Sequence, residues 1–265
     1  MNSTLDIAVA DTWFEGHFPG NPILPGVAQL ALVVEALARE RGTALALGGI
    51  PFVRLRQLVR PGERLRLATE ARANDTLRVA LTRDGAPVMN GELRFGLHTA
   101  DRPAAPALPV LADAPPVEAL LPHQPPMRFV TGVLGASADG LACSARVPSN
   151  CPLVAGGLAP ALAAIEAAAQ TGALWEAARR WRDGPGAGPR AGYLVGLRDV
   201  SLFATHVPAD TALTATVTLE ALGPPLAHYA MQVDLGERCI LHGTLAALIP
   251  PTCPPPMTDS RSTMP

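Results

Sequence analysis

An apolar helix followed by strand-like segments occurs twice along this chain of 265 residues. The sequence predicts one helix from Pro25 to Arg41 and another from Ala159 to Arg182, because both segments are rich in strong helix formers. Each also has a proline near its start, where the missing N–H costs no hydrogen bond. Turn-forming residues separate the strand-like segments after each helix, which we place at 52–59, 63–71, 76–83 and 88–97, and at 193–203, 212–222, 228–235 and 238–248. An apolar helix must be buried against another element of the fold. We therefore predict an α+β fold in which a curved antiparallel sheet wraps each helix, and this helix-and-sheet unit occurs twice in the chain.

Proline-rich segments mark the boundaries of the two copies. Residues 100–119 are rich in Pro and Ala without clear periodicity, which is typical of an extended linker. The tail, 250–265, has the same character and is expected to be disordered. The sequence therefore predicts one domain at 1–99 and a second at 120–249.

Composition excludes several classes of function. The formal net charge is -2, all basic residues other than histidine are arginine, and no field for binding nucleic acid is expected. The chain shows no signal-peptide layout and no apolar run long enough to span a bilayer. Its four cysteines lack metal-binding or disulfide-framework spacing. We expect a soluble cytoplasmic protein without a bound metal.

The segment GHFPGNPILPG, residues 16–26, contains a single histidine, His17, among apolar neighbours. Its prolines and glycines restrict the backbone on both sides of that imidazole. An imidazole titrates near neutral pH, so a rigidly held one suits acid–base catalysis. The pattern therefore indicates a functional loop placed directly before the first predicted helix.

The longer stretch FEGHFPGNPILPGVAQL resembles the active-site loop and central-helix start of bacterial β-hydroxyacyl-carrier-protein dehydratases, which have hot-dog folds. In the second half, LPHQPPMRFVTGV and EAAAQ are similar to two further motifs of that family. The two halves also look like a fusion of the two dehydratase-like proteins of aryl-polyene pathways. The resemblance implies a tandem (double) hot-dog forming a pseudo-dimer, as in polyketide-synthase dehydratase domains.

The resemblance also implies one composite active site. In the family, a histidine lies eight residues before the proline that starts the central helix, and a carboxylate lies six residues after it. Counted from Pro25, these positions hold His17 and Ala31. Counted from Pro160, they hold Pro152 and Glu166, so each half has the group that the other lacks.

Chemical roles for these residues follow from the reaction of that family. His17 suits the base that removes the α-proton, and Glu166 suits the acid, with a pKa raised by an apolar tunnel. The helix start at Gly26 and Val27 is expected to bind the thioester carbonyl, with Pro25 and Gln170 in support. No cofactor is expected other than the phosphopantetheine that carries the substrate.

Other residues have weaker cases. Glu35 is a rival acid, one helical turn beyond Ala31, and Gln29 is either a pocket-lining or a helix-surface residue. His123, in LPHQPP, is expected to be a hydrogen-bonding anchor rather than a catalyst. The remaining histidines have no candidate partners in the sequence and are expected to be structural: His98, His206, His228 and His242.

An arginine cluster in the first two predicted strands and the turn between them has two open interpretations. It is either a solvated strand face or a docking site for an acidic acyl carrier protein. Its members are Arg54, Arg56, Arg60, Arg64 and Arg66.

The favoured function is dehydration of 3-hydroxyacyl thioesters in fatty-acid-like, polyketide or aryl-polyene synthesis. The alternatives are a non-catalytic acyl-binding or scaffolding protein and a hot-dog thioesterase. Whether the chain assembles into further homo-oligomers is left open by the sequence.

Overall fold

The computed structural model describes residues 3–98, 102–110, 116–183 and 191–249. Three α-helices lie within these ranges: α1 (Gly26–Arg41), α2 (Val117–Leu120) and α3 (Ala164–Asp183). Two short 3-10 helices, Asp11–Phe14 and Ala161–Ala163, precede α1 and α3. The predicted first helix is therefore confirmed to within one residue at its start.

Five strands belong to the first half and eight to the second. In the first half they are β1 (Ser3–Ala8), β2 (Leu47–Leu55), β3 (Arg64–Ala71), β4 (Thr76–Arg83) and β5 (Ala86–Phe95). In the second they are β6 (Val130–Ala136), β7 (Gly140–Ala145), β8 (Leu158–Pro160), β9 (Tyr193–Leu202), β10 (His206–Pro208), β11 (Leu213–Gly223), β12 (Leu226–Leu235) and β13 (Arg238–Leu248). Seven of the eight predicted strands match a strand of the structure to within two residues at each end, but the first, predicted at 52–59, is displaced and lies at Leu47–Leu55. The structure adds β1, β6 and β7, and the short pair β8 and β10.

The two halves share one antiparallel sheet of eleven strands, in the order β1-β3-β4-β5-β2-β9-β13-β12-β11-β7-β6. The halves meet where β2 pairs with β9, with Gly49 opposite Ser201 and Arg54 opposite Gly196. Helix α3 packs against β7, β11, β12 and β13 of its own half, and α1 packs against β1 and also against β9 across the junction. The expected tandem hot-dog and its pseudo-dimer are confirmed.

Alternating burial along the strands explains why the sheet wraps the helices. In β3, Leu65 and Leu67 are buried, whereas the alternating residues Arg64, Arg66 and Ala68 are exposed. Helix α1 buries residues on most of its circumference, from Val27 to Leu37. Complete burial of one such aliphatic side chain is worth about 1.5–3 kcal/mol. The apolar helix and the half-apolar strands therefore stabilise each other.

The start of the second long helix differs from the prediction. The structure places Leu158–Pro160 in β8, which pairs with β10, and α3 begins only at Ala164. Pro160 disfavours helical backbone at the residue before it, and the Ala161 N–H donates to the Thr205 carbonyl instead of to a helical partner. The prediction of helix from Ala159 is therefore wrong at this end.

The Pro/Ala-rich segment is held along the second half where it is described, at 102–110. Pro103 forms a β-bridge with Arg238, and the Ala105 N–H donates to the Asp234 carboxylate at 3.0 Å. The predicted linker ends in α2, and the 250–265 tail lies outside the described residues. Within the described residues, the cysteines are buried free thiols and no helix is long and apolar enough to cross a membrane.

Candidate active site

The loop before α1 fixes the imidazole of His17 by backbone hydrogen bonds. The Ile23 N–H donates to the His17 carbonyl at 2.8 Å, and His17 Nδ1 lies 2.9 Å from the Ile23 carbonyl oxygen. A carbonyl can only accept, so Nδ1 carries the hydrogen and Nε2 presents a lone pair. The imidazole also stacks on Phe18, with ring centroids 4.1 Å apart. The rigid loop thus selects both the orientation and the tautomer that a base requires.

Glu166 lies in the first turn of α3 and is held by Gln170, one turn later. Gln170 Nε2 donates to Glu166 Oε1 at 2.9 Å and to the Met127 carbonyl at 2.6 Å. Gln170 Oε1 accepts from the N–H groups of Phe129 and Val130 at 2.8 and 3.2 Å. Gln170 thereby locks the Glu166 carboxylate to the segment that precedes β6.

The structure brings His123 to the same carboxylate. His123 Nε2 lies 3.4 Å from Glu166 Oε1, and its ring centroid is 5.3 Å from that of His17. The exposed fractions of His17, His123 and Glu166 are only 8%, 5% and 4%. Sequence reasoning assigned His123 to an anchoring role and missed this proximity. The signal available was its proline-fixed loop, LPHQPP, whose backbone restriction matches that of the His17 loop.

Burial and neighbouring charges set the proton affinities of this cluster. Burial lowers the pKa of the His17 imidazole. The charge of Glu166 acts in the opposite direction and raises this pKa, whereas His123 lowers it further. Burial by itself raises the pKa of Glu166, but the hydrogen bond to His123, the two imidazoles and Gln170 together hold it below its ordinary value. The expectation of a raised Glu166 pKa is therefore wrong, because polar neighbours outweigh desolvation.

A cavity of about 230 Å³ connects the two halves at this cluster. His17, His123 and Glu166 line one end, together with Gly26 at the start of α1. The cavity then follows α3 past Ala169, Gly172 and Ala173 to Glu176, whose carboxylate faces the Tyr229 hydroxyl at 3.4 Å. The helical rise puts Glu176 about 15 Å from Glu166 along the axis. The site thus lies at one end of this elongated cavity, which we call the tunnel.

The other predicted site residues differ in whether they line the cavity. Pro25 is the N-cap of α1 and accepts from the Gln29 N–H at 3.1 Å. Val27 is completely buried in the core and, unlike Gly26, does not line the cavity. Gln29 lines the cavity with a buried Oε1 that has no partner among the described residues. Glu35 is exposed and lies outside the cavity wall.

Ala31 and Pro152, expected to form an inactive second site, are both absent from the cavity wall. The same is true of the four histidines expected to be structural: His98, His206, His228 and His242. One cavity therefore contains both the imidazole of His17, from the first half, and the carboxylate of Glu166, from the second half.

The arginine cluster is exposed beside the cavity. Arg56 lines the cavity wall and donates to Asn90 at 2.8 Å. Arg54, two residues earlier, lies at the end of β2 and is exposed. Arg60 donates to Asn21 in the His17 loop at 3.0 Å. Arg64 and Arg66 are also exposed, and Arg66 faces Asp6 at 3.4 Å. The positive charge is thus at the cavity wall and on the adjoining surface.

His17, His123 and Glu166 present side-chain nitrogen and oxygen atoms within 4.8 Å of one another. Two imidazoles and a carboxylate at such spacing are a donor set that zinc accepts. Two of these atoms, His123 Nε2 and Glu166 Oε1, already contact each other at 3.4 Å. A buried imidazole pair with a carboxylate is equally suited to moving protons without a metal.

Comparisons with known proteins match each half of the chain to a dehydratase family. The family model described as ApeP dehydratase matches residues 115–257, more than half of the chain, and the model described as ApeI dehydratase matches residues 1–92. The 3-hydroxyacyl-[acyl-carrier-protein] dehydratase FabZ of Roseiflexus castenholzii is 39% identical over 110 residues, covering 35% of this chain and 72% of the relative. FabZ of Ligilactobacillus salivarius is 38% identical over 105 residues, covering 34% and 72%.

Solved structures share the whole fold. The dehydratase domain of RzxB from Pseudomonas fluorescens has a TM-score of 0.66 at 15% identity, covering 92% of this chain and 93% of that one. The dehydratase domain of PpsC from Mycobacterium tuberculosis, in complex with C12:1-CoA, has a TM-score of 0.67 at 16% identity, covering 94% and 93%. With the sequence matches to both halves, the chain belongs to the hot-dog dehydratases, as a double hot-dog with an ApeI-like first half and an ApeP-like second half.

Proposed function

We propose that the protein is a hydro-lyase that converts 3-hydroxyacyl thioesters into trans-2-enoyl thioesters and water. The observation that carries the proposal is that the imidazole of His17 and the carboxylate of Glu166, from opposite halves, line one cavity. Elimination of water needs a base and an acid within reach of adjacent carbons, and this cavity supplies both.

The geometry assigns each group a step. His17 Nε2 takes the α-proton, and the Ile23 carbonyl, which holds Nδ1–H, stabilises the resulting imidazolium. The electron pair of the broken C–H bond forms the C=C bond while the C–O bond breaks. Glu166, in its protonated form, gives a proton to the departing hydroxyl, which leaves as water, and the proton held by His17 then returns to the Glu166 carboxylate. The N–H at Gly26, at the positive end of α1, is suited to polarise the thioester carbonyl.

The acyl chain is proposed to lie along α3. Gly172 and Ala173 have little or no side chain, so they leave room between the helix and the strands that wrap it. Apolar residues from β9 and β13 line the tunnel here, among them Leu194 and Leu245. This wall suits an alkyl or polyenyl chain, in keeping with fatty-acid-like, polyketide or aryl-polyene synthesis.

The substrate is proposed to arrive on an acyl carrier protein, docked near Arg54, Arg56, Arg60 and Arg64. Charge reversal at Arg54 and Arg60 should raise KM for a carrier-bound substrate and leave KM for a pantetheine thioester unchanged, because only the carrier meets the surface charge. Equal changes for both substrates would exclude docking at this cluster.

The central experiment is single-turnover dehydration of a 3-hydroxyacyl thioester, on carrier protein and on pantetheine, followed by the absorbance of the conjugated product. We expect His17→Ala and Glu166→Gln each to slow the reaction about 10²–10⁴-fold, the usual contribution of a positioned acid or base. The matched control is Glu35→Gln, the same change at an exposed acid, which should react like wild type. Full activity of Glu166→Gln would exclude the composite site, and hydrolysis to the free acid would indicate a thioesterase.

A further inference from the structure

His17, His123 and Glu166 come from three separate segments of the chain and meet at one end of the tunnel. Each offers one side-chain nitrogen or oxygen atom, and these three atoms lie within 4.8 Å of one another. Among the described residues, no other group of three or more histidine, cysteine, aspartate or glutamate side chains comes this close. Buried clusters of this composition are typical of metal sites in proteins.

The spacing of the cluster fits a tetrahedral zinc ion. Zinc binds histidine nitrogen and carboxylate oxygen at about 2.0–2.2 Å, which puts two ligands of a tetrahedron about 3.4 Å apart. His123 Nε2 and Glu166 Oε1 already lie 3.4 Å apart. The third donor, the His17 imidazole, lies within 4.8 Å of the other two, so each of its separations has to shorten by at most about 1.4 Å, the difference between 4.8 and 3.4 Å.

Neighbouring groups hold two of the three donors in the form that a metal needs. A histidine that binds a metal usually donates its other ring N–H to a carbonyl or carboxylate, and His17 Nδ1 lies 2.9 Å from the Ile23 carbonyl oxygen. This contact leaves the lone pair on His17 Nε2. Gln170 Nε2 donates to Glu166 Oε1 at 2.9 Å and fixes the carboxylate. The outer contacts of a metal site are therefore already present.

His123 can bind a cation without giving up a backbone hydrogen bond. Its Nδ1 atom is buried without a partner among the described residues, and its Nε2 atom faces Glu166. A neutral imidazole carries its hydrogen on one nitrogen and a lone pair on the other. With the hydrogen on Nδ1, the Nε2 lone pair points at the carboxylate, and a cation between the two groups removes that repulsion.

The chemistry of the donors selects among cations. Mg²⁺ and Ca²⁺ prefer oxygen ligands, whereas two imidazoles and one carboxylate suit zinc and related first-row transition metals. Three protein ligands leave the fourth position of a tetrahedron open. All three residues line the tunnel, so the tunnel supplies the entry path and the space for a water on the fourth position.

We propose that Zn²⁺ binds reversibly to His17, His123 and Glu166 and thereby switches the site off. Building on the proposed dehydratase function, the ion occupies the His17 lone pair that takes the α-proton and the carboxyl group that protonates the leaving hydroxyl. Metal binding and dehydration are therefore mutually exclusive, and zinc competes with the acyl thioester. The metal-free protein is the active form.

Metal binding is measured first, independently of activity, on the full chain after treatment with a chelator. Equilibrium dialysis should give one Zn²⁺ per chain, and Co²⁺ should give the visible absorption of a tetrahedral site without a cobalt–thiolate band. His17→Ala, His123→Ala and Glu166→Gln should each weaken zinc binding about 100-fold or more, beyond the effect of losing an outer contact. The matched control, His206→Ala, changes an exposed histidine outside the tunnel and should bind zinc like wild type.

Dehydration by the wild type is then measured with rising zinc. At about 100 times the dissociation constant of the metal, kcat/KM should fall about 100-fold, because only the metal-free fraction binds substrate. A chelator should restore the rate, and a higher concentration of the acyl thioester should relieve the inhibition.

The binding and activity results separate the possible failures. The zinc site is overturned if the wild type binds no zinc at millimolar metal, if none of the three substitutions weakens binding, or if the cobalt spectrum shows a thiolate ligand. Zinc binding with undiminished dehydration, or inhibition that substrate does not relieve, would overturn the switch. A metal-free wild type that forms no enoyl product would instead refute the dehydratase function, and dialysis would still decide whether zinc binds.

Discussion

Gln170 donates a hydrogen bond from Nε2 to Glu166 Oε1, 2.9 Å away, from the next turn of the same helix. The glutamine is fully buried and also satisfies three backbone groups of the segment before β6. One side chain therefore couples the orientation of the acid to the docking of a whole segment. Its removal should affect both catalysis and stability.

We expect Gln170→Leu to lower the free energy of unfolding by about 2 kcal/mol or more, because several buried polar groups lose their partner. Gln29→Leu is the matched control, since Gln29 Oε1 is buried without a partner among the described residues. That change should leave stability unaltered or raise it. Denaturant unfolding of both variants measures the difference, and equal destabilisation would contradict the assigned network.

The pH profile should reflect the buried imidazole. His17 acts as a base only when neutral, and burial lowers its pKa below the ordinary value of about 6.5. We therefore expect kcat/KM to persist at pH values below 6.5 and to fall as His17 takes up a proton at lower pH. If kcat/KM already falls while the pH is lowered from 8 towards about 6.5, this prediction is contradicted.

Substitutions of its neighbours should move the His17 pKa in opposite directions. Glu166 raises this pKa through its negative charge, so Glu166→Gln should lower it further. His123 lowers it, so His123→Gln should raise it. Titration of the His17 ring by NMR measures both shifts, and shifts of the same sign would exclude the proposed cluster.

Gly16 and Gly20 provide a matched pair in the His17 loop. Both have a left-handed backbone, with φ of 75° and 72°, which costs an L-residue about 1–2 kcal/mol. A Cβ at Gly16 would also overlap the Gln124 carbonyl, whereas one at Gly20 would meet nothing within 4 Å. Thermal unfolding should show Gly16→Ala as the more destabilised by about 1–3 kcal/mol. Equal losses would mean that the two histidine loops are not in contact.

Ala173 should limit the length of the acyl chain. It lines the cavity about 10 Å beyond Glu166 along the axis of α3. Ala173→Phe should raise KM for long-chain substrates about 10-fold or more and leave short-chain substrates unchanged, because the bulky ring fills the tunnel beyond the reacting carbons. Steady-state kinetics with a series of chain lengths measures this, and a uniform effect on all lengths would exclude the proposed path.

Local sequence was enough to predict the elements that carry the site. The helix positions, the eight strands and the rigid loop of His17 depend on propensity, turn residues and prolines that act over a few residues. The relation between Glu166 and Gln170 is equally local, because residues four apart share one face of a helix. The resemblance to the dehydratase family, through its spacing from Pro25 and Pro160, selected His17 and Glu166, which both line one cavity in the structure.

The tertiary structure decided the properties that depend on distant segments. His123 meets Glu166 because the segment after α2 folds against the His17 loop, and no periodicity in the sequence reports that contact. The sign of the Glu166 pKa shift depended on the same contact, because burial raises this pKa and hydrogen bonding lowers it. The distances from Glu166 to its polar neighbours determine which effect is larger. Residues near in the chain were thus predictable from local chemistry, whereas the balance of forces in the cavity came from groups brought together by the shared sheet.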